Sequence, residues 1–318
     1  MPRRSSALNV RLDEYAVQLR QRKRREQTIT EYKRIISHAF GALEAAGLEC
    51  TPKRIGEEEI YFVHNEVYGH LEPLTARNQL AVFGTFLKRV GHNPVVENMR
   101  IEWPQDLRIH AKWLEPHQAK ALKDAAFGTE RILVHLELDC LMRRCEVMRL
   151  RMQDFRGSHI DILGKGRAGG KPRSIPYHPK TPLELSYLEE VREVLIGRAQ
   201  RRTPIVTVPD AVVIWEKFGR LGSCKETSID RMLKTVAERA ELPLDSVSNH
   251  ILRRTGARIH VRSGVPIPTI MKILGHSSEA QTIKYLGLNL DDMRAGMELA
   301  ERFMESLEKG TMRFEPAV

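Results

Sequence analysis

The chain has 318 residues, 42% of them hydrophobic and 29% charged, so it can form one large domain or two ordinary ones around packed cores. A formal net charge of +10 favours a polyanionic partner; nucleic acid is the leading candidate, and a generic basic surface is the alternative. The sequence lacks an apolar run of about 18 residues and an N-terminal signal peptide, which excludes a membrane-spanning protein and predicts a cytoplasmic one. The four cysteines have no paired spacing, so we expect reduced thiols rather than disulfides or a zinc site.

The first part of the chain predicts a short basic tail over 1–10 and a bundle of about four helices over 11–92. The first helix ends in the basic run "RQRKRR" at 20–25. Thr28 and Glu31 have the spacing of a capping box for the second helix, and Gly47 follows its last apolar position. "NPVVENMRIEWPQDLRIHAKW" contains two prolines and little periodicity, so we predict a linker over 93–112.

A second, mostly helical domain is predicted over 113–289, followed by a C-terminal helix and tail over 290–318. The stretch "HIDILGKGRAGGKPRSIPYHP" has the alternation of a β-hairpin. The fold class is therefore mainly α with a small β-sheet (α+β). Helices are predicted near 116–126, 130–151, 181–200, 227–240, 248–263, 267–274 and 290–308.

Three polar clusters in this second domain could perform chemistry, although each alone has an ordinary explanation. In "LMRRCEVMRLRMQDF", Arg143 lies near the core side of a helix, where it needs a phosphate or a carboxylate such as Glu146. In "SNHILRRTGARIHVRSG", His250 and Arg253 share a helix face, a spacing that also arises by chance on a solvated face. The third cluster, "ILGKGRAGGKPRSIP", fails the phosphate-loop pattern, because Pro172 follows Lys171 where Ser or Thr is required.

The order of these clusters resembles that of the tyrosine recombinase (phage integrase) family, from about residue 11 to residue 308. "LMRRCEVMRLRMQDF" is similar to the family's first arginine box, "GKG" at 164–166 to its hairpin lysine, "HILRRT" to its second box and "LGHSS" to its third. Six residues of four types in this order with family-like gaps are highly specific. The resemblance implies the catalytic set Arg143, Lys165, His250, Arg253, His276 and Tyr285.

The resemblance implies a reaction without metal or cofactor. Tyr285 would attack a DNA phosphate to form a 3′-phosphotyrosine, with His250 as base because a phenol is mostly protonated at neutral pH. Arg143 and Arg253 would stabilise the charge on the phosphate oxygens, and His276 would donate a further hydrogen bond. Lys165 would protonate the departing 5′ oxygen, with Lys171 as a secondary candidate. Glu146 would support this set structurally.

The implied protein is a site-specific DNA recombinase that binds a double-stranded recombination site and acts as a homo-tetramer through a four-way junction. It would be a monomer when free. The helical segment 11–92 would be the family's core-binding domain, and Arg22, Lys23, Arg24 and Arg25 would contact DNA phosphates or else form a solvated helix end. The last helix, with Met293, Met297, Ala300, Met304 and Leu307 at helical spacing, would cap the catalytic domain, dock onto a neighbouring subunit, or both.

Two alternatives remain open from the sequence. A type IB topoisomerase-like or telomere-resolving enzyme would use the same chemistry, and a non-cleaving DNA-binding accessory protein would retain only the fold. The sequence also departs from the family pattern. Leu141 stands where the family often has glycine, and Arg254-Thr255-Gly256 replaces the usual His-Thr-Phe that follows the second arginine. Neither departure removes a catalytic group.

Overall fold

The computed structural model describes residues 6–104, 111–164, 170–203, 205–288 and 290–308. These residues form two compact units, one up to residue 104 and the other from residue 111 onward. Both are mostly helical, and the second contains two small antiparallel sheets. The predicted fold class, mainly α with little β structure, is confirmed.

The N-terminal unit is built from four main helices with apolar stripes that face a common core. Phe40 and Phe83 pack edge to face with ring centroids 5.3 Å apart, and Tyr15 and Phe86 do so at 5.4 Å. Such pairs add to the burial of aromatic surface that stabilises the bundle. The helices are α1 (Ser6–Gln21), α2 (Glu26–Ala45), α3 (Glu57–Phe62, continued by a π-helical turn over Val63–Val67) and α4 (Pro73–Val90).

The boundary between α1 and α2 differs from the sequence prediction. The basic run ends in a turn rather than a helix, because α1 stops at Gln21 and Lys23 adopts a left-handed φ of 55°. Helix α2 then begins at Glu26, two residues before Thr28, so the predicted capping box does not form. Glu31 instead binds Arg34, one turn further along the same helix.

The segment predicted as a linker packs partly onto the N-terminal core. A short helix, α5 (Val95–Asn98), lies against α4, where Val96 fills the space beside Gly84. Apolar residues as far as Trp103 belong to the same core. Because these side chains bury apolar surface, the N-terminal unit extends at least ten residues beyond the predicted boundary at 92.

The C-terminal unit is a layered set of helices around a core formed by Leu133, Leu136, Ile160, Leu233 and Leu252, among others. Its helices match the predicted positions closely except between residues 130 and 151 and at α13, for which no helix was predicted. They are α6 (Pro116–Asp124), α7 (Thr129–Val134), α8 (Arg144–Val147), α9 (Thr181–Gln200), α10 (Glu226–Arg239), α11 (Asn249–Arg262), α12 (Ile267–Leu274), α13 (Glu279–Leu286) and α14 (Leu290–Glu308).

The single helix predicted over 130–151 is wrong, because the chain breaks around residues 140–143. Helix α7 continues as a π-helical turn over His135–Asp139, and Leu141 then adopts a left-handed φ of 53° before α8 begins. Helix α11 runs so close to this turn that a Cβ on Gly256 would lie 1.8 Å from the carbonyl oxygen of Leu138. The break therefore places Arg143 at the start of a helix rather than within one.

The predicted hairpin is confirmed as β1 (His159–Gly164) paired antiparallel with β2 (Lys171–Pro176). A second hairpin, β3 (Ile214–Lys217) with β4 (Arg220–Ser223), was not predicted. Its two-residue loop consists of Phe218 and Gly219, both at positive φ. Two-residue hairpin loops of this kind usually have Asn, Asp or Gly at their first position. Because Phe218 occupies that position here, the sequence did not indicate a turn.

Among the described residues, no helix is both long and apolar enough to cross a membrane.

Candidate active site

Three guanidinium groups converge on the buried carboxylate of Glu146 in α8. Arg173 binds it through both oxygens at 2.6 and 3.0 Å, Arg143 donates to Oε1 at 3.0 Å, and Arg253 donates to Oε2 at 3.4 Å. Burial on its own would raise the pKa of Glu146, but the arginines, above all Arg173, lower it overall. Glu146 is therefore an anion at neutral pH, and it holds together segments that are distant in the sequence.

Arg253 in α11 lies almost completely inside the protein, with only 1% of its surface exposed. It donates to the carbonyl oxygens of Leu141 and Leu274, both at 2.5 Å. Burial lowers its pKa to about 10, which leaves the side chain charged at neutral pH. Arg253 thus ties the turn before Arg143 to the end of α12.

The two adjacent arginines at 143 and 144 have different environments. Arg144 is neutralised by Asp230, at 2.7 and 2.8 Å, and by Glu226 at 2.9 Å. Arg143 shares the single carboxylate of Glu146 with two other guanidiniums. The charge of Arg143 is consequently the less compensated one. Both arginines line a cavity of about 330 Å³ together with His250.

Arg173 on β2 is a member of the cluster that the motifs in the sequence did not reveal. Its Nε donates to the carbonyl oxygen of Ile273 at 3.2 Å, and its stem lies against Gly275. The available signal was strand periodicity, because Arg173 precedes the buried Ile175 by two residues and therefore lies on the same face of the hairpin.

The Leu-Gly-His turn that follows α12 brings His276 to this cluster. Gly275 ends the helix in the left-handed conformation, with a φ of 64°, and the next residue is half-buried. The Nδ1 atom of His276 lies 3.1 Å from the hydroxyl oxygen of Thr282. Burial and the charges of Arg253, Arg143 and Arg173 lower the pKa of His276 to about 4, so its ring is neutral at pH 7.

Tyr285 is half-buried near the end of α13, beside this histidine. Its ring packs edge to face on His276 with centroids 5.2 Å apart, and the guanidinium of Arg254 lies 5.0 Å above the ring centroid. Arg254 also donates to the carbonyl oxygen of Tyr285 at 2.8 Å. Burial raises the pKa of the phenol, whereas the charges of Arg253, Arg254 and Arg143 act in the opposite direction.

The phenol hydroxyl of Tyr285 donates to the main-chain carbonyl oxygen of His250 at 3.3 Å, rather than to its ring. The His250 side chain is exposed, and burial of part of the ring, with Arg253 and its neighbours, lowers its pKa. The imidazole is therefore neutral and able to accept a proton at pH 7. Its assignment as the base stays a prediction.

The remaining predicted residues lie elsewhere. Lys165 falls outside the described residues, although the flanking strands pair as predicted up to Gly164 and Lys171, and Lys171 is exposed. Arg22, Lys23 and Arg24 are exposed and Arg25 is half-buried in the turn between α1 and α2. Their contact with DNA stays a prediction.

A comparison with models of protein families identifies the family to which this chain belongs. Residues 112–291, more than half of the chain, match the model of the phage integrase family. The chain belongs to the phage integrase family. The match begins at the second described residue of the C-terminal unit and ends at the second residue of α14, so it includes the arginine cluster, His276 and Tyr285.

Curated relatives of this phage integrase family member are tyrosine recombinases. The XerC of Oceanobacillus iheyensis is 28% identical over 47% of this chain and 45% of its own length. The XerC of Caldanaerobacter subterraneus is 26% identical over 73% of this chain and 64% of the relative. The XerD of Brucella suis is 24% identical over 82% and 86%. The chain thus spans about half to two thirds of the first two relatives and most of the third.

Solved structures support the fold of the family. A XerH site-specific recombinase bound to its palindromic difH substrate superposes with a TM-score of 0.63 at 14% identity, covering 86% of this chain and 80% of that one. A lambda integrase tetramer bound to a Holliday junction gives a TM-score of 0.61 at 15% identity, covering 89% and 79%.

A further polar cluster in the C-terminal unit has the residue types of a metal site. Ligand atoms of His135, Asp139 and His178 lie within 4.8 Å of one another. Both Asp139 oxygens already bind Lys123, at 2.7 and 2.8 Å, and one also bonds His135. Although burial alone would lower the pKa of His135, the bond to Asp139 raises it to about 9. In this structure the cluster is a buried ion pair that joins α6 to the turn that continues α7.

Proposed function

We propose that this phage integrase family member is a site-specific DNA recombinase. It would cleave and rejoin double-stranded DNA through a 3′-phosphotyrosine intermediate, without a metal or cofactor. The observation that supports this most strongly is the meeting of the Tyr285 phenol with His276 and with the charges of Arg143 and Arg253 in one half-buried place. A phenol surrounded by fixed cations is suited to attack a phosphodiester, whose negative charge those cations attract.

Arg143 and Arg253 would bind the non-bridging oxygens of the scissile phosphate. A guanidinium has five N–H donors, and three of those on Arg253 are engaged by Leu141, Glu146 and Leu274 within the described residues. Arg253 also forms a side-chain hydrogen bond to the phenol of Tyr285, so a phosphate would bind the donors that are available once this phenol moves. Because Arg253 is only 1% exposed, Tyr285 or His276 must move aside before the phosphate reaches it.

Proton transfer would be divided between the two ends of the broken bond. His250 would accept the proton of Tyr285 once the phenol leaves the carbonyl oxygen that now receives its hydrogen bond. Lys165, which follows β1 in the sequence, would protonate the departing 5′ oxygen, with Lys171 as the alternative. Such general acid–base catalysis typically contributes about 10²–10⁴-fold to the rate.

Glu146 and Arg173 would keep the two phosphate-binding arginines in position, since both contact the cluster without reaching its open side. Glu146 is 1% exposed, and the Arg173 side chain is 12% exposed. Neither would touch the DNA.

The N-terminal unit would be the core-binding domain. The basic turn, with exposed Arg22, Lys23 and Arg24 and half-buried Arg25, would contact phosphates, which adds affinity but little sequence specificity. We propose that the protein acts in the cytoplasm on nucleoid DNA, as a homo-tetramer through a four-way junction and as a monomer when free.

Helix α14 would be the docking element of that tetramer. Met293, Met297 and Met304 are 64%, 76% and 53% exposed, so they are not part of the core of their own subunit. The helix is anchored at its beginning, where Arg258 binds Asp292 at 2.6 and 2.8 Å. An anchored helix with an exposed apolar side is suited to bind a neighbouring subunit.

Covalent capture of DNA tests this proposal. Incubating the protein with a pool of nicked duplexes of randomised core sequence, with EDTA present, should yield a protein–DNA adduct that survives denaturation. We expect peptide mapping to locate the DNA on Tyr285, and sequencing of the captured duplexes to reveal the site.

Two variants serve as controls in that experiment. Tyr285→Phe should abolish the adduct, whereas Tyr61→Phe, at an exposed tyrosine of the N-terminal unit, should retain it. An adduct that persists in Tyr285→Phe, or that forms only with a divalent cation, would contradict the proposal.

A further inference from the structure

Thr282 is a buried hydroxyl that lies next to a catalytic candidate and has no role in the mechanism above. Its side chain is completely buried on α13, three residues before Tyr285. Its hydroxyl oxygen lies 3.1 Å from Nδ1 of His276. One turn of helix therefore supplies both the nucleophile and a partner for the histidine ring.

The state of Nδ1 decides what the other ring nitrogen of His276 can do. A neutral imidazole has one N–H, so a ring that accepts a hydrogen bond at Nδ1 bears its proton on Nε2, and a ring that donates at Nδ1 leaves Nε2 as an acceptor. Only the first tautomer can donate to a phosphate oxygen. The pKa of about 4 means that His276 is neutral at pH 7, so the choice of tautomer matters there.

The local hydrogen bonds favour the first tautomer. The other acceptor within reach of the Thr282 hydroxyl is the carbonyl oxygen of Ser278, at 3.3 Å. That oxygen already accepts the backbone N–H of Thr282 at 3.3 Å. Donation of the hydroxyl to Nδ1 is the shorter contact and leaves the carbonyl satisfied, whereas donation to the carbonyl forces Nδ1 to bear the ring proton.

We propose that Thr282 is a positioning residue whose hydroxyl donates to Nδ1 of His276 and thereby fixes the tautomer with the proton on Nε2. That N–H is then the donor to the scissile phosphate. The consequence of this tautomer for DNA cleavage rests on the proposed function, whereas the tautomer itself is a property of the free protein.

The position of Thr282 also connects this donor to the nucleophile. Thr282 and Tyr285 move together because both belong to α13, while His276 lies on the turn before that helix. When α13 is in the position described here, the Tyr285 phenol lies in the site and Nε2 of His276 can donate a hydrogen bond to a phosphate. When α13 is displaced, both are lost at once, so a subunit without its nucleophile also loses an ordered phosphate donor.

Three variants separate the hydroxyl from the packing of residue 282. Thr282→Val keeps the shape and removes the hydroxyl, and Thr282→Ser keeps the hydroxyl and removes the methyl. Thr269→Val makes the same chemical change at an exposed position of α12 and is the matched control.

The first measurement is the ¹⁵N spectrum of the histidine rings in the free protein at pH 7, with the His276 signals assigned by their loss in His276→Gln. We expect the Nε2–H tautomer in the wild type, in Thr282→Ser and in Thr269→Val, and a shift toward Nδ1–H in Thr282→Val. A wild-type ring protonated at Nδ1, or a Thr282→Val spectrum equal to the wild type, would overturn the proposal.

The second measurement is the rate of adduct formation on the captured nicked duplex. We expect Thr282→Val to be about 2- to 10-fold slower, the effect of losing one neutral hydrogen bond, with duplex binding unchanged and with Thr282→Ser close to the wild type. Equal rates for Val, Ser and wild type would overturn the catalytic consequence. Failure of the wild type to form any adduct would count against the proposed recombinase and leave the tautomer result standing.

Discussion

Three guanidinium groups that lie together repel one another, and the carboxylate of Glu146 offsets that repulsion from within the protein. Each of Arg143, Arg173 and Arg253 contacts it within 3.4 Å. One anion for three cations leaves a net positive site, which attracts a phosphate. Removing one partner from a buried ion cluster is costly, because the others remain desolvated and unpaired.

Glu146→Gln should therefore destabilise the protein strongly. The amide keeps the shape but removes the charge, and we expect the free energy of unfolding at pH 7 to fall by about 3 kcal/mol. Urea denaturation of the two proteins measures this difference. Glu238→Gln, at an exposed glutamate of α10, is the control and should change stability by less than about 0.5 kcal/mol.

The charge of Glu146 also predicts how the stability of the wild type and of Glu146→Gln depends on pH. The pKa of Glu146 is lowered in the folded state, so its contribution to stability is present above the unfolded pKa of about 4.3 and is lost as the pH falls through the folded value. Between pH 5 and pH 3, the wild type should lose more stability than Glu146→Gln. An equal loss in both proteins would contradict the assignment of Glu146 as a charged residue.

At the level of elements, the contact between α11 and the turn around Leu141 sets the position of Arg143. Leu141 stands at a φ of 53°, which costs roughly 1–2 kcal/mol for a residue with a side chain. Its side chain is fully buried against Ala257, Ile270 and Leu274, and burial of a leucine offsets that cost. The family glycine at this position would avoid the strain, whereas this chain fills the space.

Gly256→Ala should disrupt this contact. Ala is normally the better helix former, but here its Cβ would overlap the Leu138 carbonyl oxygen and the Leu141 side chain, at 1.8 and 2.6 Å. We expect a loss of about 1–3 kcal/mol in thermal or urea unfolding, together with slower adduct formation because Arg143 shifts.

Gly197→Ala is the matched control for that substitution. Gly197 lies within α9, and among the described residues nothing comes within 4 Å of the place that an alanine Cβ would occupy, so alanine should raise stability by up to about 1 kcal/mol. If Gly256→Ala and Gly197→Ala change stability in the same direction, the close contact of Gly256 with Leu138 is not the reason that glycine is needed at position 256.

The elements that were predictable from sequence are those whose own pattern determines them. Helix α9 begins and ends where the sequence predicts, and α11 and α12 lie within one residue of their predicted bounds. The first hairpin follows from the alternation of Ile160 and Ile162. In these segments local periodicity and tertiary packing favour the same structure.

The elements that were missed depend on contacts between distant segments. The break near Leu141 is imposed by α11, more than a hundred residues later, and Arg253 binds that turn. No helix was predicted over the segment that bears Tyr285, yet α13 forms because Ser278 caps it and Thr282 and Leu286 are buried. The order of motifs selected Arg143, Arg253, His276 and Tyr285, which the structure brings together, whereas the position of Arg173 required the hairpin register.

At the scale of the whole molecule, the described site residues come from α8, β2, α11, α13 and the turn before α13, all in the C-terminal unit. The residues of the basic turn belong to the N-terminal unit. The whole chain has a net charge of +10, which favours association with a polyanion before any specific contact forms. Assembly of the proposed tetramer needs a further surface between subunits, for which the apolar side of α14 is the candidate.

Met293→Glu combined with Met297→Glu tests that surface. Both side chains are more than 60% exposed, so the free protein should keep its melting temperature. In a tetramer these residues would be buried, and each buried methionine is worth roughly 1.5–3 kcal/mol. We expect assembly on a four-way junction built from the captured site to weaken at least about tenfold, measured by sedimentation velocity and native gels.

Val194→Glu adds a charge at an exposed apolar position of α9 and should leave assembly unchanged. Adduct formation on a single nicked duplex should also survive in the double variant, because that reaction needs one active site rather than four subunits. If the double variant assembles on the junction as tightly as the wild type, α14 is not the docking element, and the exposed methionines must have another explanation.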